Sequence, residues 1–170
     1  MSDKRGKDGE HRALLLFSAA ALRDDKLEVM RHSKTNSPDM GEDIFLSATN
    51  AWVQRFGADT NSDYKEHPVF KDRDPASNRN VRVDVKNRKV VDKPHVQKFK
   101  ADIKKHGDCD THIMFGGRLS AAAKAELEEV KQDYPSKEIL HVSQDQIPKL
   151  AANWGVSQTT LFPKPDEDSK

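Results

Sequence analysis

A single cysteine, Cys109, in 170 residues excludes an intrachain disulfide, so a reducing compartment is the default. No apolar run is long enough to cross a bilayer. The longest, residues 13–22, falls well short of the roughly 20 residues a spanning helix needs. Asp3, Asp8 and Glu10 ahead of it do not suit the basic start of a secretory leader. That run reads as a buried helix. No membrane partner is expected, and the cytoplasm of a prokaryotic or phage-infected cell is the expected location. A large charge excess is missing too: the formal net charge is +1, which does not by itself announce nucleic acid. There is no internal repeat. Gly116-Gly117 lacks the glycine-rich, lysine-ending surroundings of a phosphate loop, and no Ser-His-Asp or Cys-His signature can be assembled. His106-x-x-Cys109-x-x-His112 has zinc-like spacing but offers only three soft ligands and no second cluster, so a turn cysteine between histidines is the simpler account.

What is present is a polar chain, 35% apolar and 34% charged, long enough for one domain with its own core. Its organisation reads as an N-terminal arm over 1–9, a folded unit over 10–155 and a tail over 156–170. The charge is unevenly placed. From Arg82 to His106 the bases are Arg82, Lys86, Arg88, Lys89, Lys93, Lys98, Lys100, Lys104 and Lys105, against Asp84, Asp92 and Asp102. Such a stripe is either a phosphate-binding face or a solvated helix face.

Periodicity predicts a helix over about 10–24 and leaves 27–30 as a helix end or a short extended piece. Ser37-Pro38-Asp39 predicts a helix start. Ile44, Ala48, Trp52 and Phe56 then give that helix a core stripe until Gly57 stops it. Asp63 to Phe70 reads as a strand, kept from a central position by Pro68. Across a turn over 71–80 it would form a hairpin with Val81–Asn87. A helix from Pro94 to about Lys105 buries Val96, Phe99 and Ile103. Strands over 112–115 and 139–142 alternate with a Ser120-capped helix to about Gln132 and a last helix behind a Ser143/Gln146 capping box. The order predicts an α/β domain with a mixed β-sheet flanked by helices.

The chemistry concentrates in Val81-Arg82-Val83-Asp84-Val85-Lys86-Asn87, where apolar and polar residues alternate as on a strand with one buried face. Residues two apart share a side, so Asp84 and Lys86 project together. An acid that holds a divalent cation, beside a lysine that steadies the attacking water or the developing negative charge, is what metal-dependent phosphodiester hydrolysis requires. Hard oxygen ligands suit Mg²⁺ or Mn²⁺. Lys93, Lys98, Lys100 and Lys104 could hold a phosphate backbone without reading sequence. The bland alternative is a solvent-facing Asp84–Lys86 pair.

In this setting, with a helix acid and a hairpin before the motif and a basic helix after it, the chain resembles the PD-(D/E)xK nuclease superfamily. Within it, Mrr-type restriction endonucleases and archaeal Holliday-junction resolvases are the branches it is similar to. The resemblance covers roughly residues 40–142. It implies a restriction-endonuclease-like core and a Mg²⁺-dependent DNA endonuclease. With no separate recognition domain evident, that enzyme would be structure-selective or of low sequence specificity. Glu42 would be the helix acid, Asp63 the strand aspartate, and Asp84-Val85-Lys86 the (D/E)xK element. Asp84 would be the central metal ligand, joined by Asp63 and the Val85 carbonyl. Lys86 would orient or activate the water, Arg88 and Lys89 would lie near the phosphates, and Gln97 would contact the water or the scissile phosphate. Aspartate stands at position 84 where glutamate is commoner. The acid opposite Asp84 depends on hairpin register: Asp63 for a tight turn at Arg73-Asp74, Glu66 for a wider loop, with Asp72 and Asp74 as further candidates. Glu42 equally suits a helix-dipole carboxylate. One site cuts one strand, so a homodimer suits duplex or junction cleavage.

The tail holds Gln158-Thr159-Thr160-Leu161-Phe162, which resembles the pentapeptide by which bacterial replication and repair proteins dock on the sliding clamp. Leu161 and Phe162 would enter an apolar groove with Gln158 at its rim; alternatively they fold back on the core. The tail opens a second functional class, a non-catalytic nucleic-acid-binding adaptor that keeps the nuclease fold and recruits a partner. An RNA nuclease is a third, since nothing here reads a 2′-hydroxyl.

Overall fold

The computed structural model describes the backbone of residues 2–34, 42–86 and 88–155, and the side chains of 13–30, 43–86 and 88–155. The chain runs α1 (Ser2–Arg23), β1 (Leu27–Lys34), β2 (Glu42–Thr49), α2 (Asn50–Thr60), α3 (Pro68–Lys71), β3 (Asn78–Val85), β4 (Val90–Val91), α4 (Lys93–Lys105), β5 (Thr111–Phe115), β6 (Arg118–Leu119), α5 (Ala121–Asp133), β7 (Glu138–Val142), a 3-10 turn (Gln144–Gln146) and α6 (Ile147–Asn153). Five strands form one mixed sheet in the order β1-β2-β3-β5-β7. β2 is antiparallel to both β1 and β3, whereas β3, β5 and β7 are parallel. β4 and β6 make a small parallel pair beside it.

Helices cover both faces of the sheet. On one face Val81, Val83 and Val85 of β3 pack with Ile44 and Leu46 of β2 against Phe17 of α1, Phe56 of α2 and Leu150 of α6. On the other, Met114 and Ile139 pack under Val96, Phe99 and Ile103 of α4 and Leu127 of α5. Complete burial of a side chain such as Phe99 or Ile103 stabilises by about 1.5–3 kcal/mol. A parallel connection needs a crossover, and α4 and α5 supply the two. Both start on side-chain caps, Asp92 with Pro94 behind it for α4 and Ser120 for α5. Among the described residues no helix is long and apolar enough to cross a membrane.

Several sequence expectations need correction. Residues 42–49 are a strand, not part of a helix running to Phe56. Ile44 and Ala48 are four apart, which satisfies a helical stripe and a strand's alternation equally. Leu46, buried between them, decides for the strand. Trp52 and Phe56 do lie on a helix, α2, which starts at the Thr49 cap. The Ser37-Pro38 helix start lies outside the described residues. Asp63 to Phe70 is not a strand: after a turn, Pro68 takes the first position of α3 behind a His67 cap. The hairpin with Val81–Asn87 therefore does not exist, and β3 pairs instead with β2 and β5. The ambiguous 27–30 piece is extended, the start of β1. α1 begins at Ser2, ahead of the expected start near Glu10.

The 61–77 segment is pinned at the far end of the sheet. Arg79 is buried there, with Nη1 2.7 Å from Glu138 Oε1 and Nε donating to Asn50 Oδ1 at 2.7 Å. Its guanidinium lies 3.8 Å over the Phe70 ring, and the Tyr64 hydroxyl donates to Glu138 Oε2 at 2.9 Å.

Candidate active site

Strand register sets the geometry of the Asp84 site. Asp84 pairs across the antiparallel ladder with Asp43, so two carboxylates stand directly opposite on neighbouring strands. Like charges in that relation repel. Both are buried, Asp84 at 2% and Asp43 at 6% exposure. Burial, the largest cause, and the nearby Asp84 raise the Asp43 pKa, while Arg82 works against them. Lys86 follows the end of β3, held by its N–H to the Phe115 carbonyl at 2.8 Å. Its Nζ lies 3.4 Å from Asp84 Oδ1. The pair expected from the sequence therefore forms, but it is buried rather than solvent-facing.

Arg82 shares the same side of β3 and is fully buried. Its Nη1 donates to Asp43 Oδ1 at 3.0 Å and lies 3.5 Å from Asp84 Oδ2. Its Nε donates to His112 Nδ1 at 2.9 Å, and Phe99 stacks below the guanidinium at 4.9 Å. His112 is thereby kept neutral. Burial first, then the Arg82 charge, lower its pKa to about 3. His106, at the end of α4, brings Nε2 within 3.7 Å of Asp43 Oδ2. Two buried atoms of the Asp84–Arg82 pair have no hydrogen-bond partner, Asp84 Oδ2 and Arg82 Nη2.

The remaining candidates divide. Asp63 is exposed in the turn after α2, where its N–H bonds to Asn61 Oδ1. Its neighbour Tyr64 reaches Glu138, which registers with Thr111 and, through it, with Val81. Three strand residues separate that level from Asp84, roughly 10 Å. Asp63 is thus not brought to Asp84. Glu66, Asp72 and Asp74 lie in the same segment and are exposed, and Asp43 takes the opposite position instead. Glu42 opens β2 rather than a helix and pairs with Val85; its side chain lies outside the described residues. Gln97 is exposed on α4, next to the buried Val96.

Among the bases, Arg88, Lys89, Lys93 and Lys104 are exposed and Lys98 half-buried, while Lys100 pairs with Asp133 of α5. The exposed Arg118, unremarked in the sequence, joins Arg88 and Lys89, since its N–H donates to the Lys89 carbonyl at 2.9 Å. Gln158, Leu161 and Phe162 lie outside the described residues.

The donor set suits a hard divalent ion. Mg²⁺ is commonly held by one or two carboxylates and otherwise by water. Asp43 and Asp84 supply two, with the Val85 carbonyl adjacent, and Asp84 Oδ2 is a buried acceptor that receives no hydrogen bond. Among the described residues no three His, Cys, Asp or Glu side chains gather into a metal-binding group. Comparison with family models, with curated proteins and with solved structures gives no match.

Proposed function

We propose that this chain is a divalent-metal-dependent DNA endonuclease of the PD-(D/E)xK kind, with Asp43 as the strand aspartate and Asp84-Val85-Lys86 as the (D/E)xK element. The observation that carries this is the pairing of Asp43 with Asp84 across two strands, with Lys86 Nζ 3.4 Å from Asp84. A mixed sheet flanked by helices agrees with a restriction-endonuclease-like core. Asp43 and Asp84 would hold Mg²⁺ or Mn²⁺, which when bound supplies a Lewis acid at the scissile phosphate and an acidified water. Lys86 places a fixed positive charge beside Asp84, where negative charge builds up in the transition state. Arg88, Lys89 and Arg118 lie beyond the end of β3 and would seat the phosphate backbone, contributing affinity without base readout. His106 lies near Asp43, with Nε2 3.7 Å from Oδ2.

The test is nicking of supercoiled plasmid with Mg²⁺ or Mn²⁺, repeated with linear, single-stranded and branched DNA. Asp84→Asn should abolish cleavage, and Lys86→Ala should lower it by about 10²–10³, the effect of removing one preorganised charge-stabilising group. Undiminished cleavage by a purified, folded Asp84→Asn protein would refute the assignment.

One observation favours a second reading. The Arg82 guanidinium already lies between the two acids, as it would in a non-catalytic, DNA-binding adaptor that has lost its metal and recruits a sliding clamp through Gln158–Phe162. A Mn²⁺ titration separates the two: the enzyme binds saturably and loses binding in Asp84→Asn, whereas the adaptor binds none.

A further inference from the structure

We propose that Arg82 is a built-in counter-cation of this site, holding Asp43 and Asp84 together until a divalent ion takes its place and so setting how much metal the site requires. This rests on the metal-dependent reading above. Two buried carboxylates directly opposite each other need a cation between them. Arg82 Nη1 provides one, 3.0 Å from Asp43 Oδ1 and 3.5 Å from Asp84 Oδ2. The other end of the guanidinium is anchored separately, by Nε to His112 and by the Phe99 ring. Arg82 can therefore release the acids while keeping its seat.

A purely structural buried ion pair saturates its hydrogen bonds. Here Arg82 Nη2 and Asp84 Oδ2 both lack a hydrogen bond, and Arg82 reaches Asp84 Oδ2 only as an ion pair at 3.5 Å, so the guanidinium fills the cation's place only in part. A divalent ion carries twice its charge and accepts both carboxylates at once. Its binding must then overcome the Arg82 contacts, and the two cations are in competition.

The experiment compares wild-type protein with Arg82→Met, which keeps chain length and apolar contact with Phe99 but removes the charge. Melting temperature is measured in EDTA, and Mn²⁺ affinity by calorimetric titration, both on the full chain. Without metal, Arg82→Met should melt about 10 °C lower, as expected for removing one partner from a buried pair. It should bind Mn²⁺ at least about tenfold more tightly, a change of about 1.4 kcal/mol, and Mn²⁺ should restore most of the lost melting temperature. Arg82→Lys, closer to native, should show the same direction at smaller size. A variant that folds only when Mn²⁺ is added also supports the competition. A merely structural arginine would do the opposite, because its loss would let the acids splay and weaken the metal. Mn²⁺ affinity unchanged or weaker in both variants, with Asp84→Asn abolishing binding, overturns the role of Arg82 and leaves the nuclease reading standing. No saturable Mn²⁺ binding in wild type or in either variant overturns both.

Discussion

Gly116 offers a sharp test of how the sheet positions Lys86. Gly116 adopts φ +111°, a conformation that L side chains rarely adopt. A Cβ placed there would lie 2.2 Å from the Lys86 carbonyl oxygen, where real contacts need at least 3.0 Å. The obstacle is backbone, not the flexible end of a side chain, and backbone hydrogen bonds hold both segments. Lys86 N–H donates to Phe115 and Gly116 N–H donates to Val142, each at 2.8 Å. Gly116→Ala must therefore push Lys86 aside by nearly an ångström. Forcing the backbone costs about 1–3 kcal/mol, and the overpacking about 1–3 kcal/mol more. Denaturant unfolding should show a loss of at least about 2 kcal/mol. On the nuclease reading proposed above, misplacing Lys86 by about 1 Å costs on the order of 10² in rate, and Mg²⁺-dependent cleavage by the folded fraction should drop by about that factor. Gly107→Ala is the control: its added Cβ meets only the Lys104 carbonyl, at 3.7 Å, and should stay within about 0.5 kcal/mol of wild type. A Gly116→Ala protein as stable and as active as that control would refute the reasoning.

Two further outcomes follow from the buried groups. The His112 pKa is lowered to about 3 from an ordinary value of 6.5, so the unfolded chain takes up a proton that the fold refuses. Its contribution to stability is complete above pH 6.5 and is lost as pH falls toward 3. Asp43, whose pKa is raised, acts in the opposite sense, its share growing as pH falls through that raised value. Urea midpoints at pH 7 and pH 4.5 should fall further for wild type than for His112→Asn, and equal falls would exclude the effect. Arg79→Met should leave Glu138 buried without its ion-pair partner, costing about 3–5 kcal/mol. The folded fraction should still bind Mn²⁺ as wild type does, because the Arg79 network sits at the far end of the sheet; a parallel loss in a titration would show that the two ends are coupled.

The second half of the chain was legible because its signals are local. Pro94 starts α4, Ser120 starts α5, and the short apolar run after each helix gives β5 and β7. The Asp84–Lys86 pair was equally plain, since alternation fixes which residues share a face. The first half misled because a spacing of four fits both periods. Ile44 and Ala48 joined a helical stripe with Trp52 and Phe56, although the chain changes from strand to helix at Thr49. A helical reading of 42–49 conceals Asp43, and a separate reading of Asp63 to Phe70 as a strand offers Asp63, Glu66, Asp72 and Asp74 as the second acid in its place. Reading Ile44, Leu46 and Ala48 as alternating residues would have set Asp43 on the opposite side of β2. Its pairing with Asp84 is non-local, and no sequence period encodes it. Arg82 reads as one base of the stripe from Arg82 to His106, because charge alone does not show that a strand is covered on both faces.

Among the described residues the sheet carries two clusters of buried ion pairs, and their difference bears on the proposed role of the Asp84 site. At one end, Arg79 meets Glu138, Asn50 and Thr111, and Tyr64 completes the carboxylate, so that every buried polar atom has a partner. Such a cluster is a stable joint. At the other end, Asp43, Arg82, Asp84 and Lys86 lie under α4 with Arg82 Nη2 and Asp84 Oδ2 unmatched. Apolar residues of similar volume would serve stability there as well or better, and the neighbouring Val96, Phe99 and Ile103 show that this layer accommodates them. The unmatched cluster also lies next to the end of β3, beyond which Arg88, Lys89 and Arg118 are exposed. A fold that saturates one buried cluster and leaves the other open beside exposed cations is what the metal-dependent reading proposed above requires: two opposed carboxylates for a cation, and basic residues beyond them for the phosphate that such a cation would share.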